Sequence, residues 1–316
     1  QKPLTDYVTP MLGTATLWDS VDLGFKPTKR TWGAEVFPGS SLPNAMVQVS
    51  PVTKFHSGAG YQYEDSVIYG FTHTNKGHWN LCHIPLLPVT GTPTPGDYCS
   101  PFSHERESAA PGYYQVFLDR YGVDAQLSST LRCAFHKYTY PAGAAASLLA
   151  DLQRSNEHVR AWDIRKEGDN VFAGWQQTGE KMYFYAVANR PVTGIEPVVE
   201  GDREVRIVRF GEGDGALELR IGFSFVSEKN ARENLEAEML GKSFAEVRSE
   251  ATATWNDLLG RIRVEGGTER EKGLFYSSLY RSFLWPALRS DVNGEFTDVD
   301  GKVINPGFRY YTGPSY

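Results

Sequence analysis

The sequence predicts a mainly β protein, an antiparallel β-sandwich followed by a helical linker and the start of an α-helical domain. Three observations predict it. Segments up to about residue 225 are short, β-branched and aromatic, and Gly, Pro and Asp separate them. Near residue 227 the hydrophobic period changes from two to about 3.6. No strand–helix–strand alternation occurs, which disfavours a dinucleotide-binding α/β fold. A chain of 316 residues suits two domains, or one large β domain with a helical appendage.

The elements follow in order. "PGYYQVFLDRYGVDAQLSSTLRCAFHKYTYP", from Pro111 to Pro141, alternates apolar and polar residues around a "YGVD" turn, as a half-buried hairpin does. "NVFAGWQQ", "KMYFYAVANRPV", "REVRIVRF" and "LELRIGFSFV" continue the pattern. "SEKNARENLEAEML" then reads as an exposed helix. Ser243 and Glu246 stand in the capping-box relation, in which hydroxyl and carboxylate satisfy the orphan N–H groups of a first turn. Phe244, Val247, Ala251, Trp255 and Leu258 fall on one face of that helix, and Gly260 ends it. A second box, Thr268 with Glu271, opens "EKGLFYSSLYRSFLW", which Pro286 stops. This last helix is apolar nearly all round and expects neighbours on both sides, which the closing residues do not supply. The expected organisation is a sandwich over 1–226, a helical linker over 227–262 and the start of a truncated second domain over 263–316. The abrupt aromatic ending at Tyr316 gives the expectation that the chain is a fragment.

Composition narrows the ligand class. The net charge is −6 and the pI near 5.7. No Lys/Arg stripe forms, so the footprint of a nucleic-acid binder is missing. No run of 18 apolar residues exists to span a membrane. The opening at Gln1, without Met or a signal-like stretch, fits a mature or trimmed chain. Aromatics make up 13%, which suits a neutral polar ligand with flat apolar faces, such as a sugar, although a large sandwich core uses the same residues. Cys82, Cys99 and Cys133 form no CxxC pair, and an odd count leaves at least one thiol unpaired.

The segment "GFTHTNKGHWNLCHIPLLPVTG", Gly70 to Gly91, holds His73, His78 and His83. As a metal site it lacks H-x-x-x-H and H-E-x-x-H, and odd spacing on a regular strand sends His73 and His78 to opposite faces. As a pocket wall it offers His73, Asn75 and His78 as donors and acceptors beside the Trp79 indole, the mixture that sugar recognition needs. The alternative is a self-satisfied turn with Trp79 in the core. His83, entering "IPLLPV", reads as structural. Glycosidase chemistry needs two carboxylic acids flanking a bond. Glu35, Glu64, Asp65, Glu105, Glu107, Asp298 and Asp300 are too scattered for spacing to pair them. "DVNGEFTDVDGK" misplaces the Gly and terminal Glu of an EF-hand loop. No G-x-S-x-G, P-loop or G-x-G-x-x-G occurs.

Several segments together resemble glycoside hydrolase family 92, the calcium-dependent exo-α-mannosidases. "DYVTPMLGT" (Asp6 to Thr14) is similar to its Y-V-N-P-x-I-G-T opening, and "EVFPGSSLPNAMVQVSP" (Glu35 to Pro51) to its T-F-P-G-A-x-x-P-x-G-M-V-Q-x-S-P segment. "SGAGYQYEDSVIYGFTHTN" (Ser57 to Asn75), the Pro111–Pro141 strand pair and "FYSSLYRSFLWP" follow in the family's order. The colinearity is more specific than any one motif. The chain departs at Asn75 to Asn80, where the family commonly has H-L-S-G-T-G-x-x-D, and this is the stretch that bears on linkage.

The resemblance implies an N-terminal sandwich, a helical linker and an (α/α)6 toroid, with the active site between the two domains. It implies an inverting exo-α-mannosidase acting on terminal mannose of N-glycans or mannan, with a Ca2+ ion assisting; α-1,2 linkages are expected first, with α-1,3, α-1,4 and phosphate-linked mannose as alternatives. The catalytic acid, the base and most calcium ligands are expected beyond Tyr316, so no catalytic or metal-binding residue is assigned here. The fragment alone is expected to be inactive. Substrate binding is expected at His73, Asn75, His78 and Trp79, with a mannose-containing oligosaccharide and the chain's own C-terminal toroid as partners. A periplasmic, cell-surface or secreted bacterial location follows. The competing reading is a carbohydrate-binding module without catalysis.

Overall fold

The computed structural model describes residues 2–17, 21, 24–26, 33–75 and 81–312. One sheet runs β1 (Ser40–Ser41), β2 (Gln48–Val52), β4 (Gly70–Thr72), β5 (Leu86–Val89), β11 (Ser147–Ala150), β16 (Arg203–Phe210) and β15 (Val192–Glu200). The other runs β12 (Ala161–Gly168), β13 (Val171–Gln177), β14 (Lys181–Ala188), β17 (Leu217–Ser224), β10 (Cys133–Thr139), β9 (Val123–Ser129), β8 (Tyr113–Leu118) and β7 (Glu107–Ala110). Short pairs join β3 (Val67–Ile68) to β6 (Ser100–Pro101), β18 (Ala287–Leu288) to β21 (Tyr311–Thr312), and β19 (Phe296–Thr297) to β20 (Val303–Ile304). The ladders are antiparallel, so the predicted sandwich is what forms.

Side-chain period explains the layers. In β14 buried and half-buried residues alternate, and Met182, Phe184 and Ala186 face the core. Strands β5 and β11 are buried on both faces, hence their continuous "LLPV" and "SLLA" runs. Val49, Phe71, Leu86, Leu148 and Val208 of the first sheet meet Leu127, Phe172, Leu219 and Ile221 of the second.

Three helices follow the last sandwich strand. Helix α1 (Glu228–Glu238) is capped by Ser227, whose hydroxyl accepts from Asn230 N–H. It is not the free-standing exposed helix that its polarity suggests. Asn230, Ala231, Asn234 and Leu235 are buried. Gly222 of β17 permits this docking, because a Cβ there would lie 2.1 Å from Ala231 O. Polarity misleads here because the two asparagines are buried as hydrogen-bonding groups.

Helices α2 (Phe244–Leu259) and α3 (Glu269–Ser282) begin with the predicted capping boxes, at Ser243/Glu246 and Thr268/Glu271. The first half of α2 packs on the outer face of the larger sheet, where Phe244 meets Phe135 edge-on at 5.2 Å. Its second half turns to other partners. Trp255 lies 4.5 Å from Tyr280 and donates its indole N–H to Ser41 O at 2.8 Å. Helix α3 finds one neighbour in the N-terminal segment: Thr9 N–H donates to Ser277 Oγ (3.0 Å) and Arg281 Nη2 to Leu12 O (2.8 Å). Leu274, on another face, is 57% exposed.

Candidate functional site

Strands β2, β4, β5 and β11 present one common end, because Gln48 N–H donates to His73 O and Ala150 pairs with Leu86. The chain leaving β4 and the chain entering β5 are bonded to each other there. His73 N–H donates to His83 O, and the N–H groups of Leu81 and Cys82 both donate to Thr74 O. Residues 73–75 and 81–83 are thereby fixed side by side.

His73 and Asn75, expected to touch ligand, are placed otherwise. Both are fully buried. Asn75 Nδ2 donates to Gln48 O (2.8 Å) and Thr72 O (3.1 Å), and Asn75 Oδ1 accepts from Thr72 Oγ1 at 3.2 Å. A side chain enclosed and paired in this way fixes the strand end and offers no exposed surface to a ligand. His78 and Trp79 lie outside the described residues.

His73 belongs to a polar chain that crosses the apolar core. Its Nδ1 faces Ile84 O at 2.9 Å, a carbonyl that can only accept. Nδ1 therefore carries the proton and Nε2 is an acceptor. His136 Nε2, 2.9 Å away on the opposite sheet, must donate to it, which leaves His136 Nδ1 to accept from Tyr138 OH at 2.5 Å. The direction Tyr138 → His136 → His73 → Ile84 O is fixed by its last acceptor. Burial pushes His73 down to about 3 and holds His136 well below the ordinary imidazole range. Both rings are neutral donors and acceptors at neutral pH.

His83 anchors a second chain. Thr178 lies in the turn between β13 and β14, and its hydroxyl donates to Glu157 Oε2 at 2.6 Å. Thr178 Oγ1 then accepts from His83 Nε2 (3.0 Å), and His83 Nδ1 accepts from Thr74 Oγ1 (2.9 Å). His83 is thus structural, as read from its neighbours in sequence. Thr178 is fully buried, so this hydroxyl–imidazole pair is no accessible nucleophile and base.

The surrounding loops close on the same place. Asn156 N–H and the Ser155 hydroxyl both donate to Leu81 O. Arg289, after β18, donates from Nη2 to Glu180 Oε2 at 2.8 Å while its guanidinium lies 3.8 Å from the Phe225 ring centre. The next turn is held by Asp291, a buried carboxylate that accepts from Ser224 Oγ (2.6 Å), Asn230 Nδ2 (2.8 Å) and Asn234 Nδ2 (2.8 Å). Burial raises its carboxyl above the ordinary range, and these three donors oppose the rise. "DVNGEF" is therefore a staple between β17, α1 and the closing hairpins.

Backbone strain concentrates here too. Cys82 and Ile84, on either side of His83, have φ of +52° and +54°. Such a conformation costs a non-glycine residue about 1–3 kcal/mol and persists only where the surroundings impose it. No sequence signal marks either position. His136, Gln176 and Thr178 leave no mark in the sequence for a related reason: they lie 63 to 95 residues from their partners His73, Ile84 and His83, and Glu157 joins only through Thr178.

Several of the scattered carboxylates are committed locally. Glu107, 1% exposed, accepts from Tyr61 OH at 3.0 and 3.1 Å, from Tyr114 OH at 2.5 Å, and pairs with His104 Nδ1 at 2.6 Å. Asp65 accepts from Thr53 Oγ1 (2.7 Å), and Asp298 from the N–H groups of Asp300 and Lys302. Among the described residues no three His, Cys, Asp or Glu side chains converge to hold a metal ion.

Two family models match this chain: the glycosyl hydrolase family 92 N-terminal domain over residues 7–234, and the family 92 catalytic domain over residues 230–316. The chain belongs to glycosyl hydrolase family 92. A family 92 α-mannosidase of Bacteroides thetaiotaomicron has a TM-score of 0.87 at 26% identity, over 99% of this chain and 45% of that one. A structure of that mannosidase with mannoimidazole matches equally, at 0.87 and 26%, over 98% of this chain and 44% of the other. A family 92 inverting mannosidase of the same organism, 24% identical, shares the fold at 0.83 over 99% and 44%. A protein of Arthroderma benhamiae described as an uncharacterized secreted glycosidase is 25% identical, over 83% of this chain and 41% of its own length. The family 92 chain thus spans less than half the length of each of these relatives.

Proposed function

We propose that this chain is the N-terminal part of an inverting exo-α-mannosidase that removes terminal mannose, α-1,2-linked, from N-glycans or mannan. One observation carries the reading: family 92 models match consecutively from residue 7 to 316, and an α-mannosidase shares the fold over 99% of the chain. In this reading the chain supplies a pocket rim and does no chemistry. The enclosed histidines and committed carboxylates support that role, and the general acid and base belong to the part of the relatives that this chain does not span. His78 and Trp79 touch the mannoside, Trp79 against a C–H face of the sugar. His73 and Asn75 act indirectly, by fixing the strand end from which that segment departs.

A Ca2+ ion in the whole enzyme would take its oxygen ligands mainly from the C-terminal part that this chain does not span. Export to the periplasm or beyond agrees with the relative described as secreted, and no described helix is long and apolar enough to cross a membrane. The test is NMR of the turnover of methyl α-1,2-mannobioside, whose leaving sugar is locked at its anomeric carbon, by the full-length protein. The expected first product is β-mannose, the inverted anomer, with no turnover by residues 1–316 alone. α-Mannose as first product would refute inversion. Calorimetric mannose binding by 1–316 with no full-length hydrolysis would establish a binding module instead.

A further inference from the structure

Gln176, the penultimate residue of β13, is fully buried and faces inward where the apolar core gives way to the rim. Its amide has three partners, all backbone atoms of loops. Ile84 N–H donates to Oε1 at 2.7 Å, while Nε2 donates to Leu152 O at 3.0 Å and Arg154 O at 2.8 Å. One donor and two acceptors admit a single orientation of the amide. Strand β13 itself does not depend on these bonds, since it pairs with β14 without a break from Val171 to Gln177 and with β12 over the same residues, apart from one register shift at Lys166/Gly168, at the far end from Gln176. The three bonds serve only to hold two rim segments, 81–84 and 151–154, at a fixed separation. Ile84, with its positive φ, is the residue whose N–H Gln176 receives and whose carbonyl His73 reaches.

We propose that Gln176 is a positioning residue for the mannoside, setting the distance between the two loops that form the rim. This rests on the mannosidase reading above. Gln176 touches no substrate and acts through the backbone of Ile84, Leu152 and Arg154. Its loss should weaken ground-state and transition-state binding alike, which is the signature of a raised KM at unchanged kcat.

The experiment uses the full-length protein with Gln176→Leu and Gln176→Glu, and two readouts. In amide hydrogen exchange, Gln176→Leu should release Ile84 and the amides of Arg154 and Asn156, with β13 and β14 still protected. Gln176→Glu keeps an acceptor for Ile84 N–H but sets a carboxylate against two carbonyls, so it should release the 151–156 side alone. With mannobiose, KM should rise about tenfold for Gln176→Leu, and less for Gln176→Glu, with kcat held within about threefold. A folded Gln176→Leu enzyme with wild-type KM would overturn the proposal, as would a fall in kcat that tracks the folded fraction. Absence of turnover by the wild type would overturn the mannosidase reading, and the exchange readout would still decide whether Gln176 clamps the rim.

Discussion

Two histidine-centred chains flank the same stretch of backbone, and they are built on opposite principles. The inner one, Tyr138–His136–His73, is sealed in the core, joins the two sheets and ends on a carbonyl. The outer one, Thr74–His83–Thr178, ends on the half-buried carboxylate of Glu157. In the first, an apolar surrounding forbids charge, and hydrogen-bond direction alone decides where each proton sits. In the second, an ion at the boundary with solvent orders the hydroxyl and the ring. The lesson is that an inter-sheet polar link survives in a core only when every member has one permitted role.

The sharpest way to break this contrast is His136→Phe. It leaves His73 Nε2 and Tyr138 OH buried without partners, at about 1–3 kcal/mol each. A stability loss of about 2–6 kcal/mol is expected from urea midpoints. A loss under about 1 kcal/mol would show that the inner chain is not a working link.

The next effect is acid sensitivity. The folded His73 and His136 values lie below the free-imidazole 6.5, so the unfolded chain binds more protons as pH falls beneath that value. Stability is full above about pH 6.5 and is lost progressively towards about pH 3, where folded His73 takes its own proton. Each ring contributes a slope of at most about 1.4 kcal/mol per pH unit. Comparison of unfolding curves from pH 7 to 5 with those of His73→Gln should show a shallower slope in the variant. Equal slopes would contradict the neutral assignment. The smallest effect falls on the outer chain: Glu157→Leu should cost about 0.5–1.5 kcal/mol, because the Thr178 hydroxyl can turn to Glu180 O, 3.5 Å away, and Glu157→Gln less. A larger cost than that of His136→Phe would reverse the comparison.

Much of the fold was legible in the sequence, for local reasons. Period-two strands, the hairpin and both capping boxes depend on neighbours within a few residues; the strands and boxes form as expected, while the hairpin turns at Asp119–Gly122, with Val123 and Asp124 of "YGVD" already paired in β9. The burial of α1 was not legible, because it depends on Gly222 lying beneath Ala231. The candidate site was legible only as a stretch. "FTHTN…LCH" stands out by its histidines, and the structure buries His73, Asn75 and His83 alike. The roles of His73 and Asn75 depended on His136 and Gln48, which no spacing rule links to them. Positive φ at Ile84 is invisible for the same reason: a β-branched residue there is the result of tertiary constraint and leaves no local mark.

Helix α2 carries a consequence for how the molecule comes apart. Phe244 and Val247 seal Tyr113 and Phe135 of the larger sheet, while Trp255 and Leu259, two to three turns on, close the cluster formed with Tyr276 and Tyr280. The sandwich therefore ends in sequence near residue 226, but its hydrophobic surface is completed by residues that the catalytic-domain match already claims. A family boundary and a folding boundary do not coincide here. Cleavage between them would leave a sheet with a bare aromatic face, so the two parts are expected to denature as one cooperative unit.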